Sequence, residues 1–251
     1  MDLASQPAHA DQTVAQPAAA RAAAPDRPGL RFAEFALLYF GIPTALALWP
    51  DRPPRITLTL LWIVAAVLLV CLWRSRTLDR SALWVVSAWR GQWPSILAWW
   101  LAGIAVMTSI VWIFLPHRLF ALPLHRPHIW LMIMAFYPLL SASIQGLTHR
   151  LFFFHRYGPV FPTPALRIAA SASAFAWMHV VFGNWQAVVL TIPVGILFAC
   201  RYEKTRSFLL TNIEHALWGC WLFTCGLGFY FFGNAGTRAF IDAQLLQAQA
   251  G

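Results

Sequence analysis

Residues 56–73 read Ile-Thr-Leu-Thr-Leu-Leu-Trp-Ile-Val-Ala-Ala-Val-Leu-Leu-Val-Cys-Leu-Trp, without one charged side chain. A helix rises about 1.5 Å per residue, so such a run comes close to the roughly 30 Å hydrocarbon core of a bilayer. In that solvent every backbone N–H and C=O must be bonded within the chain, which favours helices. Working outward, similar apolar runs cover about 32–49, 95–115, 129–147, 166–182, 186–200 and 207–231. The fourth of the seven, 129–147, is expected to continue as helix through Tyr157. The last contains Gly219, Gly226 and Gly228 and offers places to break. These runs predict an all-α polytopic transmembrane bundle of about seven to eight spans.

Composition agrees. The 251 residues are 59% hydrophobic and 11% charged, with 14 Trp and 19 Phe. A soluble domain carries about 25% charged residues, so an ordinary soluble enzyme is excluded. The four cysteines, Cys71, Cys200, Cys220 and Cys225, sit inside apolar runs without a CxxC pair. They read as small buried residues, neither disulfides nor metal ligands. Residues 1–30 are rich in Ala, Pro and Gln and lack a basic segment followed by an apolar one. They read as a disordered tail and not as a signal peptide. The bundle is expected over 31–232, and a C-terminal tail over 233–251. Between the second and third runs, residues 78–93 interleave Trp84, Trp89 and Trp93 with arginines, which predicts an amphipathic interfacial helix.

The charge is lopsided, with 18 Lys+Arg against 9 Asp+Glu. The arginines punctuate the apolar runs, as the positive-inside rule expects, so the excess points to a bilayer and not to nucleic acid. With a cytoplasmic N-terminus the inner loops hold Arg21, Arg27, Arg31, Arg74, Arg76, Arg80, Arg90, Arg150, Arg156, Arg167, Arg201, Lys204 and Arg206. The outer loops then hold only Arg52, Arg55, Arg118, Arg126 and Arg238. That asymmetry predicts the N-in orientation.

Ionisable groups inside spans are costly and mark candidate sites. The fourth span contains Gln145, Gly146, His149 and Arg150. Gln145 and His149 are four apart and share a helix face; Gly146 and Arg150 share the next one. The fifth span carries Phe175-Ala-Trp-Met-His179, and the seventh Asn212-Ile-Glu214-His215-Ala-Leu-Trp-Gly219. Bundles build sites from side chains on facing helices. His179, His215 and Arg150 are therefore expected in one polar cavity, with Glu214 as the counter-ion of Arg150. The candidate set is His179, His215, Glu214, Gln145 and Arg150 for chemistry, and His149, Phe175 and Asn212 for contact with a bound chain.

This order of motifs resembles the CPBP family of intramembrane endopeptidases, which includes the CAAX prenyl proteases. Its first motif is Glu-Glu-x-x-x-Arg, its second Phe-x-x-x-His, and its third His-x-x-x-Asn or a relative. The resemblance covers about 130–232, and the run Tyr-Pro-Leu-Leu-Ser…Gln…Arg-x-Phe-Phe-Phe-His-Arg-Tyr looks like one bacterial branch. It implies an integral protein of a bacterial inner membrane that handles a membrane-embedded peptide or protein. A first-motif glutamate would activate the attacking water, assisted by histidines at His179 and His215. Here the two glutamate positions are Gln145 and Gly146, and the third-motif amide position is Gly219. Without those groups a water near neutral pH lacks its base. Three histidines could hold zinc with an open position. The spacing, however, gives no HExxH and the ligands come from three spans, so no metal or other cofactor is expected. The readings in play are an active endopeptidase using His179, His215 and a displaced acid, and a degenerate homologue that binds a membrane peptide or serves as a scaffold. A small-solute transporter has less support, because no internal repeat is visible.

Overall fold

The computed structural model describes residues 27–49, 52–53, 56–85, 89–232, 238 and 243. The expected tails over 1–26 and most of 233–251 lie outside the described residues; Pro28 already opens the first helix. Among the described residues, six helices are long and apolar enough to cross a membrane: α1 (Pro28–Ala47), α2 (Ile56–Arg74), α3 (Trp93–Phe114), α4 (Pro127–Val160), α5 (Pro164–Phe182) and α6 (Trp185–Thr205). The seventh expected run forms α7 (Phe208–Cys225), which is more polar and more enclosed, with Asn212, Glu214 and His215 all buried. The run does break, at Gly226. That residue has φ of 113°, and a Cβ there would lie 2.3 Å from the Arg118 carbonyl oxygen. Only glycine fits both demands. The piece beyond it, Leu227–Phe231, is a single 3-10 turn. It is far short of the roughly 20 residues a span needs.

The chain is an integral membrane protein, and α2 illustrates why. Only 17% of its most apolar stretch is buried inside the protein. Trp62, Ile63, Val67, Leu69 and Val70 face outward. In water such a face would be a large aggregation-prone patch; in lipid it is the ordinary exterior of a span. Inside, α1 and α4 meet through aromatic side chains. Phe35 packs its ring centre 5.4 Å from Tyr39, 5.7 Å from Phe153 and 5.6 Å from Tyr157. These tilted and edge-on contacts are the preferred geometry for rings.

Helix α4 does continue past residue 147, as expected. It is widened into π turns at Pro138–Ala142 and Leu147–Phe152. Pro138 has no N–H to donate, so the ladder loosens there. Ser143 caps the slack by donating to the Pro138 carbonyl at 2.8 Å. The second widened turn carries His149 and Arg150. α5, α6 and α7 each start on a side-chain cap, from Thr163, Asn184 and Ser207. Each cap satisfies one of the orphan N–H groups of a first helical turn.

Two expectations fail. The segment 78–93 does not form an amphipathic helix among its described residues. It makes one 3-10 turn, Arg80–Leu83, initiated by Asp79, which accepts from the Ser81 hydroxyl at 2.6 Å and the Ser81 amide at 2.9 Å. Those bonds hold the Asp79 carboxyl below the usual carboxylate range. A local aspartate turn competes with helix and wins here. Nor are all cysteines buried: Cys225 is, but Cys71 and Cys200 are exposed on helix surfaces, and all four are free. A membrane exterior accepts a thiol as readily as a core does, so an apolar run does not reveal burial.

Candidate functional site

Phe175 on α5 gathers the candidate residues. Its ring centre lies 5.6 Å from that of His149, 4.9 Å from His179 and 5.4 Å from His215. The Arg150 guanidinium carbon sits 4.3 Å above the same ring and 5.0 Å from the Phe198 ring of α6. His215 also lies against Phe198, at 4.7 Å. Three histidines and an arginine from three helices therefore surround one aromatic side chain. The Phe-x-x-x-His spacing contributes directly, because it puts Phe175 and His179 one turn apart on one face.

The expectation of a single polar cavity is only partly met. A cavity of about 390 Å³ opens between α1, α2, α4 and α5, within the size range of ordinary ligand pockets. Gln145, His149 and His179 line its polar end, with Ser141 and Thr148; the remaining lining is largely apolar. Arg150 and His215 do not line it. They pack instead against the rings of Phe175 and Phe198, so the cluster has residues on the cavity wall and residues packed away from it.

On the packed side, Arg150 is 1% exposed, and none of its three guanidinium nitrogens has a hydrogen-bond partner among the described residues. Its charge rests on the faces of Phe175 and Phe198, a cation–π arrangement that strengthens when desolvated. Glu214, expected as its counter-ion, makes its direct ion pair elsewhere. The Glu214 carboxylate accepts from Arg201 through both oxygens, at 2.9 and 3.1 Å. Arg201 is held further by Gln92 at 2.6 Å and Ser95 at 3.2 Å. The bidentate fork, with the further bonds to Gln92 and Ser95, fixes Arg201 on this carboxylate. Glu214 is 0% exposed and is absent from the cavity wall.

The family's motif positions show close-packed exchanges. At Gly146 a Cβ would fall 1.9 Å from Asn212 Oδ1. Asn212 is thus buried against the helix face where an acidic side chain would stand. At Gly219 a Cβ would fall 2.2 Å from the Tyr137 hydroxyl oxygen. Tyr137 fills that notch and bonds His215 Nε2 at 3.3 Å. Reading the sequence missed Tyr137, Phe198 and Arg201. The signal for Arg201 was present, since it and Glu214 flank the short turn joining α6 to α7.

On the cavity side the polar atoms are oriented by the backbone. His179 Nδ1 meets the Phe175 carbonyl at 2.7 Å. His149 Nδ1 meets the Gln145 carbonyl at 3.1 Å and Thr148 Oγ1 at 2.7 Å. Gln145 Nε2 donates to Ser141 at 2.8 Å. Tyr39 donates to the Thr148 carbonyl at 2.6 Å and fixes α1 against this turn. Among the described residues, no three His, Cys, Asp or Glu side chains assemble a metal-holding group.

Residues 126–221 match the family model described as Type II CAAX prenyl endopeptidase Rce1-like. The matched stretch contains Gln145, Arg150, Phe175, His179 and His215, and nearly coincides with the 130–232 expected from the motifs. No curated protein and no solved structure matches the chain.

Proposed function

We propose that this membrane protein, whose residues 126–221 match the family model described as Type II CAAX prenyl endopeptidase Rce1-like, holds a membrane-embedded peptide segment in its cavity without cutting it. One observation carries the reading: among the described residues, no carboxylate lines the cavity. Peptide hydrolysis near neutral pH needs a general base or a metal to make water a nucleophile. Gln145 is neutral and accepts no proton usefully. Gly146 has no side chain, and Asn212 occupies the space one would need. Glu214 is committed to Arg201. The apolar lining remains suited to an extended chain arriving from the lipid between α1 and α2. The reading places the N-terminus in the cytoplasm of a bacterial cell, on the arginine asymmetry.

A second reading has one observation in its favour. The Phe175 carbonyl orients His179 through Nδ1, and no described residue bonds its Nε2, the posture of an imidazole base. In that case His179 would take the proton of the attacking water directly. The test is incubation of the purified protein, reconstituted in liposomes, with a prenylated peptide ending in a CAAX sequence. Mass spectrometry is expected to find the peptide intact. Hydrolysis by the unmodified protein, lost in His179→Ala, would establish the second reading instead.

A further inference from the structure

A second cavity, of about 480 Å³, opens at the end of the bundle where α2 leaves the membrane. It shares no lining residue with the cavity described above. Its walls come from the segment after α2, from α4, from Arg167 of α5, and from α6 with the turn that follows it. Trp73, in the last turn of α2, marks its depth in the bilayer. That side chain is 71% exposed, and the Arg80 guanidinium lies 5.0 Å from its ring centre. Tryptophan collects at the headgroup level of a membrane. Thr77 and Asp79 of the cavity wall follow within a few residues, so the cavity opens among lipid headgroups.

Three of its polar groups have bonding capacity to spare. Tyr202 is 3% exposed, and its ring packs 5.0 Å from that of Phe154. Among the described residues nothing bonds its hydroxyl, a costly state for a buried donor. Arg206 follows α6 with φ of 51°, a left-handed position where glycine is the usual residue. Its Nη2 pairs with Glu203 at 2.9 Å, while Nε and Nη1 have no hydrogen-bond partner among the described residues. Asp79 spends Oδ1 on Ser81 and keeps Oδ2 unbonded among the described residues. Asp79 and Arg206 both lie within electrostatic reach of the Tyr202 hydroxyl. Arg167, by contrast, is consumed: Nε and Nη2 by Glu203, Nη1 by the Phe161 and Pro162 carbonyls. His155 Nε2 is held by the Ser75 hydroxyl, which Thr77 also meets.

The charges at this cavity balance. Arg167 and Arg206 are matched by Glu203 and Asp79, so a purely anionic group gains no net attraction from the walls. What the cavity offers is a positive end, Arg206 with the Tyr202 hydroxyl, and a negative end, Asp79. We infer that it holds the headgroup of a zwitterionic phospholipid with a primary ammonium, that is, phosphoethanolamine. The phosphodiester would accept from Tyr202 and from Arg206 Nε and Nη1, and the ammonium would donate to Asp79 Oδ2. Bonds with a charged partner are the stronger ones. Leu151, Phe154 and Pro159 give the glycerol and the first acyl carbons an apolar wall. The site depends neither on the peptide-holding reading nor on which side of the membrane the N-terminus lies.

The test titrates the full-length protein in detergent with three lipids of identical short acyl chains and follows binding by native mass spectrometry. They are phosphatidylethanolamine, phosphatidylcholine, whose trimethylated nitrogen has no N–H to donate, and phosphatidylglycerol, which has no ammonium. Phosphatidylethanolamine is expected to bind at least about fivefold more tightly than either, the scale of one hydrogen bond to a charged group. Asp79→Asn keeps the oxygen that caps Ser81 and is expected to bring the ratio to phosphatidylcholine close to one. Tyr202→Phe keeps the ring, and Arg206→Gly suits the left-handed backbone; each is expected to weaken all three lipids by about tenfold. Arg76→Gln, on the exposed basic surface near the site, should change nothing. Equal binding of the three lipids, a preference for phosphatidylglycerol, a ratio that survives Asp79→Asn, affinities untouched by Tyr202→Phe and Arg206→Gly, or a preference lost in Arg76→Gln would overturn the inference. So would displacement of the lipid by an equal concentration of free phosphoethanolamine, which would make the ligand a soluble phosphoester.

Discussion

Gly146 and Asn212 fit together as notch and filler: a Cβ on residue 146 would lie 1.9 Å from Asn212 Oδ1 and 2.9 Å from its Cγ. The pair joins α4 to α7 at a position where the related endopeptidases are expected to carry an acid. The same contact explains why a single substitution cannot simply return that acid.

Gly146→Ala is therefore expected to destabilise the protein by about 1–3 kcal/mol, the usual cost of forcing extra volume into a packed core. Asn212→Ala should relieve most of that cost. In a double-mutant cycle followed by thermal unfolding in detergent, the two changes should be strongly non-additive, as expected of residues in contact. Additive effects would mean that the helices shift apart freely at this point. Gly146→Glu should behave worse than Gly146→Ala, and should need Asn212→Gly before the protein folds at wild-type yield.

The Arg201–Glu214 pair supplies a second prediction. Its side chains are 6% and 0% exposed. Removing one partner leaves an uncompensated buried charge, which costs about 3–5 kcal/mol, whereas replacing both by apolar groups is often close to neutral. Arg201→Met alone should sharply reduce the yield of monodisperse protein, and Arg201→Met with Glu214→Leu should recover much of it. The comparison pair is Arg156–Glu34, bonded at 2.7 Å but with side chains 41% and 38% exposed. Glu34→Gln should change the unfolding midpoint little, because pairs this open contribute about 0–1 kcal/mol.

How much of this was legible beforehand divides along physical lines. Hydrophobic runs and caps are local, so α1 to α7 could be read almost directly from residues 32–231. The grouping of His149, Arg150, His179 and His215 was also legible, because lone ionisable groups on several spans have few places to go except one another's company. What the chain did not disclose was how those groups divide among partners. Glu214 has two arginines within reach, and the fork of Arg201 prevails through geometry that only the α6–α7 turn creates. The Gly219 notch exists only once Tyr137 arrives from another helix, so no spacing rule announces it. That His179 lines the cavity while His215 packs on Phe198 away from it is a packing fact of the same kind.

Tyr137 leads to the third prediction. Its ring fills the space beside Gly219, and its hydroxyl bonds His215 Nε2 at 3.3 Å. Tyr137→Phe keeps the ring and loses the bond, so a modest loss of about 0.5–1.5 kcal/mol is expected, with wild-type yield. Gly219→Asn in the wild-type background should fail to accumulate as folded protein, since the amide meets the tyrosine ring. Tyr137→Ala opens the notch at a cost of about 3–5 kcal/mol by analogy with other aromatic truncations. Adding Gly219→Asn to Tyr137→Ala should then recover stability. Size-exclusion profiles and thermal unfolding of the four variants check the series. A Gly219→Asn protein as stable as the wild type would show that Tyr137 does not hold the notch.

The last prediction concerns orientation. Thirteen basic residues fall on the side assigned to the cytoplasm and five on the other, counted from the arginines and the one lysine between the spans. The positive-inside bias makes the N-terminal side the cytoplasmic one. Arg150 and Arg201 among the thirteen, and Arg118 and Arg238 among the five, are buried and cast no vote on topology. Eleven against three still favours the same orientation. To test it, the four native cysteines are first replaced, using Ala at the fully buried Cys225 and Ser elsewhere. Single cysteines are then introduced as Ala20→Cys and Pro53→Cys. In intact cells a membrane-impermeant maleimide is expected to label residue 53, beyond the end of α1, and to leave residue 20 unmodified until the cells are lysed. Labelling of residue 20 first would invert the orientation, and the arginines at the start of α2 would then have to be retained on the cytoplasmic face by something other than their number.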